Sequence, residues 1–284
     1  MPLLVFMYHR VLPEEHPDAV SMPLFRRQLA YLRRHFRVLS PAETCRYLRG
    51  EEVFPGRCAA LTFDDGFLDN LLYADPLLRE AEMSAMMAVS AGFMEDSPLV
   101  RTEESPEILR RTSREAADAA ARGDRRSYLT VGELRQLAAS GVWSLEAHGT
   151  RHRTGARGKS VLCAPQNEPV DSFERELRAD ILNCRAKLDA LTGRTGRVFF
   201  WPYGHYSSQA AEIVRDCGYD LQFSVCKGAC RPGDRRPVLP RIGVSRWGKF
   251  RKNCIVFGDP LLAALRDLFP REQVRFDEFY REAR

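Results

Sequence analysis

The chain has 284 residues, of which 44% are hydrophobic and 29% are charged, as expected of a folded globular protein rather than a disordered one. No apolar run reaches the roughly 18 to 20 residues that span a membrane. The formal net charge of +5 comes mainly from arginine, but no nucleic-acid-binding motif accompanies it, which argues against a nucleic-acid partner.

The cysteines and the N-terminus bear on the cellular compartment. The eight cysteines are scattered and give neither a disulfide framework nor the paired spacing of a structural zinc site. We therefore expect reduced thiols without a metal role. Met1 leads directly into an apolar run, with neither the basic segment nor the cleavage site of a secretory signal. If the chain is complete, this start predicts a cytoplasmic protein.

Short apolar runs alternate with amphipathic helical stretches along the chain. Strands are predicted at Leu3–Met7, Ala59–Phe63, Met86–Val89, Val142–Leu145, Val198–Trp201, Leu221–Val225 and Ile242–Val244. Helices are predicted at Phe25–His35, Asp75–Ala81, Phe173–Leu191, around Gln209–Cys217 and at Leu261–Phe269. This alternation favours an α/β fold with a parallel sheet curled into a barrel, in one domain that covers residues 1–284.

Two polar stretches interrupt the alternation. Residues 95–127 are charged and alanine-rich, with helical character near the centre, whereas residues 153–170 have the Gly, Pro, Asn and Lys content of a loop. Long loops above a barrel commonly shape the substrate site, so we interpret both stretches as insertions beside that site. A charged, helical tail is predicted over residues 259–284.

The segment LTFDDGFLDN places two adjacent carboxylates, Asp64 and Asp65, at the end of an apolar strand. Neighbouring side chains on an extended strand point in opposite directions. The pair can therefore take different roles only if the chain bends, and Gly66 permits a sharp turn. On its own, Asp-Asp-Gly is also typical of an ordinary turn.

The segment WSLEAHGTRHRT places His148 and His152 after another strand. Their spacing of four residues predicts that both imidazoles lie on one face of a helical turn, where they could chelate one divalent ion. One carboxylate and two histidines form a common catalytic metal set that leaves positions for water and substrate. Glu146 either supports the metal ligands from behind or is an ordinary acid at the strand end, and we favour the second interpretation.

A third segment, RVFFWPYGHYS, runs from a strand into the turn at residues 202–204. The turn is either structural, or it aims a backbone N–H into the site to stabilise an oxyanion. Taken in order, TFDDG, HGTRH and WPYG resemble the motifs of the polysaccharide deacetylases, the NodB-homology group of carbohydrate esterases. The resemblance extends from Pro2 to about Val244 and implies that family's distorted (β/α) barrel.

The resemblance also implies roles for individual residues. Asp64 corresponds to the general base, and Asp65, His148 and His152 correspond to the metal ligands. The metal is usually zinc, with cobalt, nickel or manganese as alternatives. The backbone N–H of Tyr203 corresponds to a donor in the oxyanion hole. The implied reaction is attack of a metal-activated water on the acetamide of an N-acetyl sugar.

The sequence departs from the commonest family pattern in its general acid. Many members carry a histidine near the end of the domain, but no histidine follows His205 here. One branch, resembling the biofilm poly-N-acetylglucosamine deacetylases, instead begins with Tyr-His at the tip of the first strand, as MYHR does. Because the first and last strands of a closed barrel are neighbours, we predict that His9 is the acid, with His205 as its rival.

A second departure concerns the arginine that often precedes the Pro-Tyr-Gly turn and holds the base. Phe200 stands in that region. Arg241, in LPRIGV, either replaces this arginine from another strand or is an ordinary surface residue.

The predicted function is metal-dependent removal of the acetyl group from an N-acetylhexosamine in a glycan or glycolipid precursor. Aromatic residues near the motifs, namely Trp201, Tyr206 and Trp247, favour a sugar substrate. The alternatives are a hydrolase of non-sugar amides or imides and a catalytically inactive glycan-binding barrel. The complete Asp-Asp-His-His set argues against a loss of catalytic activity. The segment SRWGKFRKN is either an ordinary basic loop or a peripheral contact with the inner membrane face.

Overall fold

A curved sheet of parallel strands forms the centre of the protein. The computed structural model describes residues 1–155, 158–165, 167–244, 246–267 and 276–277. The strands are β1 (Leu3–Tyr8), β2 (Arg10–Leu12), β3 (Ala19–Ser21), β4 (Arg37–Val38), β5 (Cys58–Asp65), β6 (Ala85–Val89), β7 (Trp143–Ala147), β8 (Val198–Phe200), β9 (Leu221–Phe223) and β10 (Ile242–Gly243). The main sheet has the order β10-β1-β5-β6-β7-β8-β9, with β4 paired to β5, whereas β2 and β3 pair separately.

The first and last strands of the main sheet are neighbours. Strand β10 pairs in parallel with β1, with Ile242 opposite Phe6, as the barrel prediction requires. Strand β9 does not pair directly with β10. The extended segment before β10 bridges them instead, because Ser224 N donates to Leu239 O (2.9 Å) and Leu239 N donates to Gln222 O (2.7 Å). We call this junction the seam.

Both faces of the sheet are buried. Alternate residues fill the barrel interior, among them Val5, Ala60, Ala88, Val198 and Phe223. Residues of the opposite parity pack outward against the helices, among them Phe6, Leu61, Met87, Leu145 and Phe199. Strands of a parallel sheet that are covered on both faces are apolar throughout, which explains why continuous apolar runs predicted them correctly.

Ten helices lie in the described ranges. They are α1 (Met22–His35), α2 (Pro41–Arg49), α3 (Asp75–Glu80), α4 (Pro106–Leu109), α5 (Ser113–Ala121), α6 (Val131–Ala139), α7 (Val170–Thr192), α8 (Ser208–Asp216), α9 (Trp247–Gly258) and α10 (Pro260–Asp267). The five predicted helices correspond to α1, α3, α7, α8 and α10. Within these described residues, no helix is both long and apolar enough to cross a bilayer.

Three helices that lie outside the five predicted helical ranges begin with the same capping motif. In α2, α5 and α6 the residue before the helix is Ser40, Thr112 or Thr130, and a glutamate follows three residues later. Each hydroxyl accepts the glutamate's backbone N–H while the glutamate side chain accepts the N–H of the cap. The spacing Ser/Thr-x-x-Glu was therefore the available sequence signal.

The insertions and the tail are described in part. Residues 95–127 contain α4 and α5, in agreement with their predicted helical character. In the predicted loop at 153–170, residues 156, 157 and 166 lie outside the described ranges. Of the predicted tail, the structure describes α10 and residues 276–277. Residues 247–253 of the segment SRWGKFRKN do not form a loop, because α9 begins at Trp247. The single-domain boundary stays a prediction.

Candidate metal centre and its cavity

A cavity of about 1170 Å³ lies at the carboxyl ends of the central strands. Arg241 is not in the described lining, which includes the other six residues predicted for the site, namely His9, Asp64, Asp65, His148, His152 and Tyr203. They lie at or just after the ends of β1, β5, β7 and β8, in segments that are far apart in the sequence. The parallel sheet brings them together because all of these strands end at the same rim.

The two adjacent aspartates point to different partners because the backbone reverses at Asp65. Asp65 has a φ of 75° and Gly66 a φ of 77°. The prediction assigned the bend to Gly66, but it already starts at Asp65, a residue type for which the left-handed region costs roughly 1–3 kcal/mol. As a result Asp64 contacts Arg241, whereas Asp65 faces the two histidines.

Asp65, His148 and His152 form a cluster suited to a metal ion. Their ligand atoms all lie within 4.8 Å of one another, and Asp65 Oδ1 is 3.4 Å from His148 Nε2 and 3.2 Å from His152 Nε2. The buried Oδ1 accepts no hydrogen bond from the described residues. His148 Nδ1 lies 2.7 Å from Phe200 O. A proton on Nδ1 would leave the Nε2 electron pair free for a cation.

The charges in this cluster also suit a cation. Burial lowers the pKa of His152 to about 4, so its imidazole is neutral at physiological pH, as a ligand must be. Burial raises the pKa of Asp65, but the imidazoles of His152 and His148 outweigh it and the pKa is lowered. For His148, burial lowers the pKa, whereas Asp65 and Asp64 outweigh it and raise the pKa. A proton and a metal therefore compete for His148.

The loop between the two histidines is not the helical turn that their spacing predicted. Gly149 has a φ of 76°, and a Cβ there would lie 2.6 Å from Leu162 Cδ1, so this position requires glycine. Asp180 of α7 then accepts the backbone N–H groups of Thr150 (2.8 Å) and Arg151 (3.0 Å). Asp180 holds the loop in place, and no local sequence signal pointed to it.

His152 lies between two aromatic rings that help to fix it. The ring centroids of Phe93 and Tyr203 are 5.5 Å and 4.7 Å from that of His152. Tyr203 has a φ of 58° within the Pro202–Gly204 turn, and the residue is 41% exposed. The role of its backbone N–H in an oxyanion hole stays a prediction.

Arg241 is not a surface residue but the buried partner of Asp64. It is 0% exposed, and its Nη1 and Nη2 donate to the two carboxylate oxygens of Asp64 at 2.6 Å and 2.8 Å. Its Nε donates to Ser224 O (3.0 Å), and the guanidinium lies 4.7 Å from the centroid of the Phe200 ring. Burial raises the pKa of Asp64, but Arg241 outweighs it and lowers the pKa, so Asp64 is a carboxylate at neutral pH.

Replacing Arg241 with glutamine should therefore impair Asp64 most strongly at low pH. Without the guanidinium, burial dominates and the pKa of Asp64 rises, so the carboxylate is protonated at a higher pH. We expect the acid limb of the kcat/KM profile to move to higher pH, measured from about pH 5 to 9. The control Arg236→Gln, at a surface arginine paired with Asp234, should leave the limb in place. An unchanged limb in Arg241→Gln would contradict this assignment.

Other predicted residues lie outside the cavity lining. Trp201 is 0% exposed and donates to Gln222 Oε1 (3.0 Å). Neither Tyr206 nor Trp247 contributes to the described lining, whose aromatic residues are Phe93, Tyr128 and Tyr203. The aromatic argument for a sugar therefore named the wrong side chains. Glu146 is buried inside the barrel rather than exposed at the strand end, and burial raises its pKa.

The two candidate acids differ in position. His9 lines the cavity, whereas the described lining does not include His205. Nδ1 of His205 accepts the backbone N–H of Ser160 (3.2 Å), and its ring lies 4.8 Å from that of Phe276. Burial lowers the pKa of His205. These contacts favour His9 over His205.

Comparison with known proteins agrees with this geometry. The family model for polysaccharide deacetylases matches residues 51–222. Two poly-beta-1,6-N-acetyl-D-glucosamine N-deacetylases, from Escherichia coli O157:H7 and strain K12, are each 23% identical over 238 residues, which is 79% of this chain and 33% of theirs. The chain thus spans about a third of the length of these curated relatives.

Solved structures extend the comparison. IcaB from Ammonifex degensii is 27% identical with a TM-score of 0.72, over 89% of this chain and 96% of that one. A de-N-acetylase from Aggregatibacter actinomycetemcomitans is 17% identical with a TM-score of 0.72, over 89% of this chain and 100% of that one. The chain belongs to the polysaccharide deacetylase family. The predicted fold, a distorted barrel of the NodB-homology type, is thereby confirmed.

Proposed function

We propose that this protein is a metal-dependent N-deacetylase that hydrolyses the acetamide of an N-acetylhexosamine in a glycan or glycolipid precursor. The proposal rests on one observation: the lining of a single cavity contains Asp64, Asp65, His148 and His152. The names of the curated relatives, which are N-deacetylases of a poly-N-acetylglucosamine, support the same chemistry.

The proposed reaction divides the work among the residues of the cavity. A divalent ion held by Asp65, His148 and His152, most simply zinc but alternatively cobalt, nickel or manganese, would supply a Lewis acid and an acidified water. Asp64, oriented by Arg241, accepts a proton as water attacks the acetamide carbonyl. The backbone N–H of Tyr203 donates to the developing oxyanion.

His9 is the proposed general acid for the departing amine. It follows β1 directly and lines the same cavity as Asp64 and Asp65. A histidine in that position can protonate the amine nitrogen as the carbon–nitrogen bond breaks.

Replacing His9 with alanine should lower kcat by roughly 10²- to 10⁴-fold, the usual contribution of one general acid. The alkaline limb of the pH–rate profile should move or disappear, while bound metal, measured by elemental analysis, stays at the level of the unmodified protein. His205→Ala is the matched control and should retain most of the activity. Near-native kcat in His9→Ala beside an inactive His205→Ala would transfer the role to His205.

The surface of α9 supports a membrane-bound substrate. This helix contains no Asp or Glu, and its exposed residues include Lys249, Arg251 and Lys252. Ile255 is 48% exposed beside them, and Leu261 of α10 is 77% exposed. Basic groups near anionic lipid contribute about 1 kcal/mol each. We therefore propose a cytoplasmic protein that contacts the inner membrane face and acts on a glycolipid intermediate.

Fractionation and a substrate panel test this proposal. The native protein should be cytoplasmic or bound to membranes in low salt and released by high salt. It should deacetylate glycolipid intermediates faster than long polymers. A triple variant, Lys249→Ala, Arg251→Ala and Lys252→Ala, should lose membrane binding but keep activity on a soluble N-acetylhexosamine oligomer.

Several results would contradict the proposal. Recovery from the periplasm, or a preference for long chitin-like polymers or peptidoglycan, would overturn the glycolipid assignment. Hydrolysis of cyclic amides or imides but not of N-acetyl sugars would identify an amidase. Metal binding without hydrolysis of any substrate in the panel would identify a catalytically inactive glycan-binding barrel.

A further inference from the structure

The residue after His9 is unusually well anchored. Arg10 is 1% exposed and Asp69 is 0% exposed, and Arg10 Nε donates to Asp69 Oδ2 at 2.7 Å. The other oxygen of Asp69 accepts the backbone N–H of Val11 at 3.0 Å. Asp69 therefore holds both the side chain of Arg10 and the backbone that follows it.

The far end of the Arg10 side chain reaches the insertion that forms one wall of the cavity. Its Nη2 donates to Leu109 O (2.8 Å), and its Nη1 donates to Arg111 O. The guanidinium also lies over the ring of Phe67, 4.7 Å from its centroid. A buried charge is retained only where such partners satisfy it. Arg10 thereby joins the segment that carries His9 to the insertion.

Asn70 contacts His9 itself. It is 0% exposed, and its Nδ2 donates to the backbone carbonyl of His9 at 3.2 Å. Its Oδ1 has no hydrogen-bond partner among the described residues. An unpaired buried amide oxygen is unfavourable, and an apolar side chain of similar size would avoid it. The hydrogen bond from Asn70 Nδ2 to His9 O offsets the free-energy cost of this unpaired oxygen.

Asp69 and Asn70 belong to the same segment as the proposed base. LTFDDGFLDN supplies Asp64 and Asp65, and four residues after Asp65 it supplies Asp69. Asn70 then begins a π-helical turn, Asn70–Ala74, closed by a hydrogen bond from Asp75 N to Asn70 O. Such turns are frequent at functional sites. One short segment therefore supplies the base and a metal ligand and also contacts the acid.

We propose that Asn70 and Asp69 are positioning residues that fix His9 in the cavity relative to Asp64 and Asp65. Asn70 holds the carbonyl of His9, and Asp69 holds the two residues that follow. Neither touches the substrate. This inference rests on the proposed role of His9 as general acid, and it assigns a function to the last two residues of the segment LTFDDGFLDN.

A double-mutant cycle between Asn70 and His9 tests the inference. Asn70→Leu removes the donor at similar volume. It should lower kcat roughly 10- to 100-fold, because small displacements of a catalytic group have effects of this size, with KM and bound metal little changed. In a His9→Ala background the same substitution should lower kcat less than about 2-fold, because the group that it positions is already absent.

The controls separate positioning from stability. Leu71→Val alters the next buried position and should leave kcat unchanged in both backgrounds. If Asn70→Leu does not fold, Asn70→Ser, whose hydroxyl is too short to reach His9 O, enters the same cycle. Equal losses of kcat in both backgrounds, or a near-native kcat for Asn70→Leu beside an impaired His9→Ala, would overturn the inference alone. A near-native His9→Ala would overturn the proposed acid and the inference with it.

Discussion

Replacing both His148 and His152 with alanine should leave the protein without a bound divalent ion and without deacetylase activity. In the structure the Nε2 atoms lie 3.4 Å and 3.2 Å from Asp65 Oδ1, so a lone carboxylate would remain after the change. Elemental analysis of the unmodified protein should find about one divalent ion per chain, lost to a chelator and restored by zinc or cobalt.

The pH dependence of metal binding should follow from the same cluster. Because neighbouring carboxylates raise the pKa of His148, protons compete with the ion there and metal affinity should fall as the pH is lowered. His35→Ala, at an exposed histidine of α1, is the control and should keep metal and activity. Stoichiometric metal in the double histidine variant would refute the metal centre.

The variant Asp64→Asn should keep its metal but lose activity, with kcat reduced toward the upper end of the roughly 10²- to 10⁴-fold range for a general base. The amide that replaces the carboxylate has nearly the same shape but cannot accept the proton. Because this amide is neutral, it would also leave the buried guanidinium of Arg241 without a counter-charge, so a thermal melt should accompany the kinetics.

A matched carboxylate separates this effect from simple loss of buried charge. Asp75 is also buried and accepts a hydrogen bond from Trp143 Nε1 at 2.8 Å, away from the cavity. Asp75→Asn should change stability but leave kcat close to native. If Asp64→Asn loses metal in parallel with activity, Asp64 is a ligand rather than a base, and the division between the two aspartates is wrong.

The sheet and the site were predictable from sequence to different degrees. The strands of the main sheet could be predicted because they are apolar on both faces. The motifs at the strand ends could be expected to lie together because the carboxyl ends of parallel strands lie at the same edge of the sheet. The conformation between His148 and His152 was not predictable from their spacing. This conformation depends on the positive φ of Gly149 and on the hydrogen bonds to Asp180. Asp180 is 30 residues from its partner Thr150, and no motif in the neighbouring sequence indicates the contact.

Long-range pairing limited the remaining predictions. Arg241 and Asp64 are 177 residues apart, and they meet because β1 pairs with β10 on one side and with β5 on the other. A surface position was therefore an equally good interpretation of the sequence. The aromatic residues failed for a related reason. Trp201 directly precedes the Pro-Tyr-Gly turn, but its ring is buried. Composition does not show to which side of the strand a side chain next to a turn points.

The seam has a consequence for how such chains are classified. In a ring of strands the first and last strands are neighbours, so a side chain can be supplied from beside either strand and still occupy the same space. Here the guanidinium that binds Asp64 comes from beside β10 and lies against the ring of Phe200, the residue in the region where the sequence resemblance implies an arginine. An alignment scored column by column would record a missing arginine and favour an inactive protein. A comparison of side-chain positions in space would record the arginine as present.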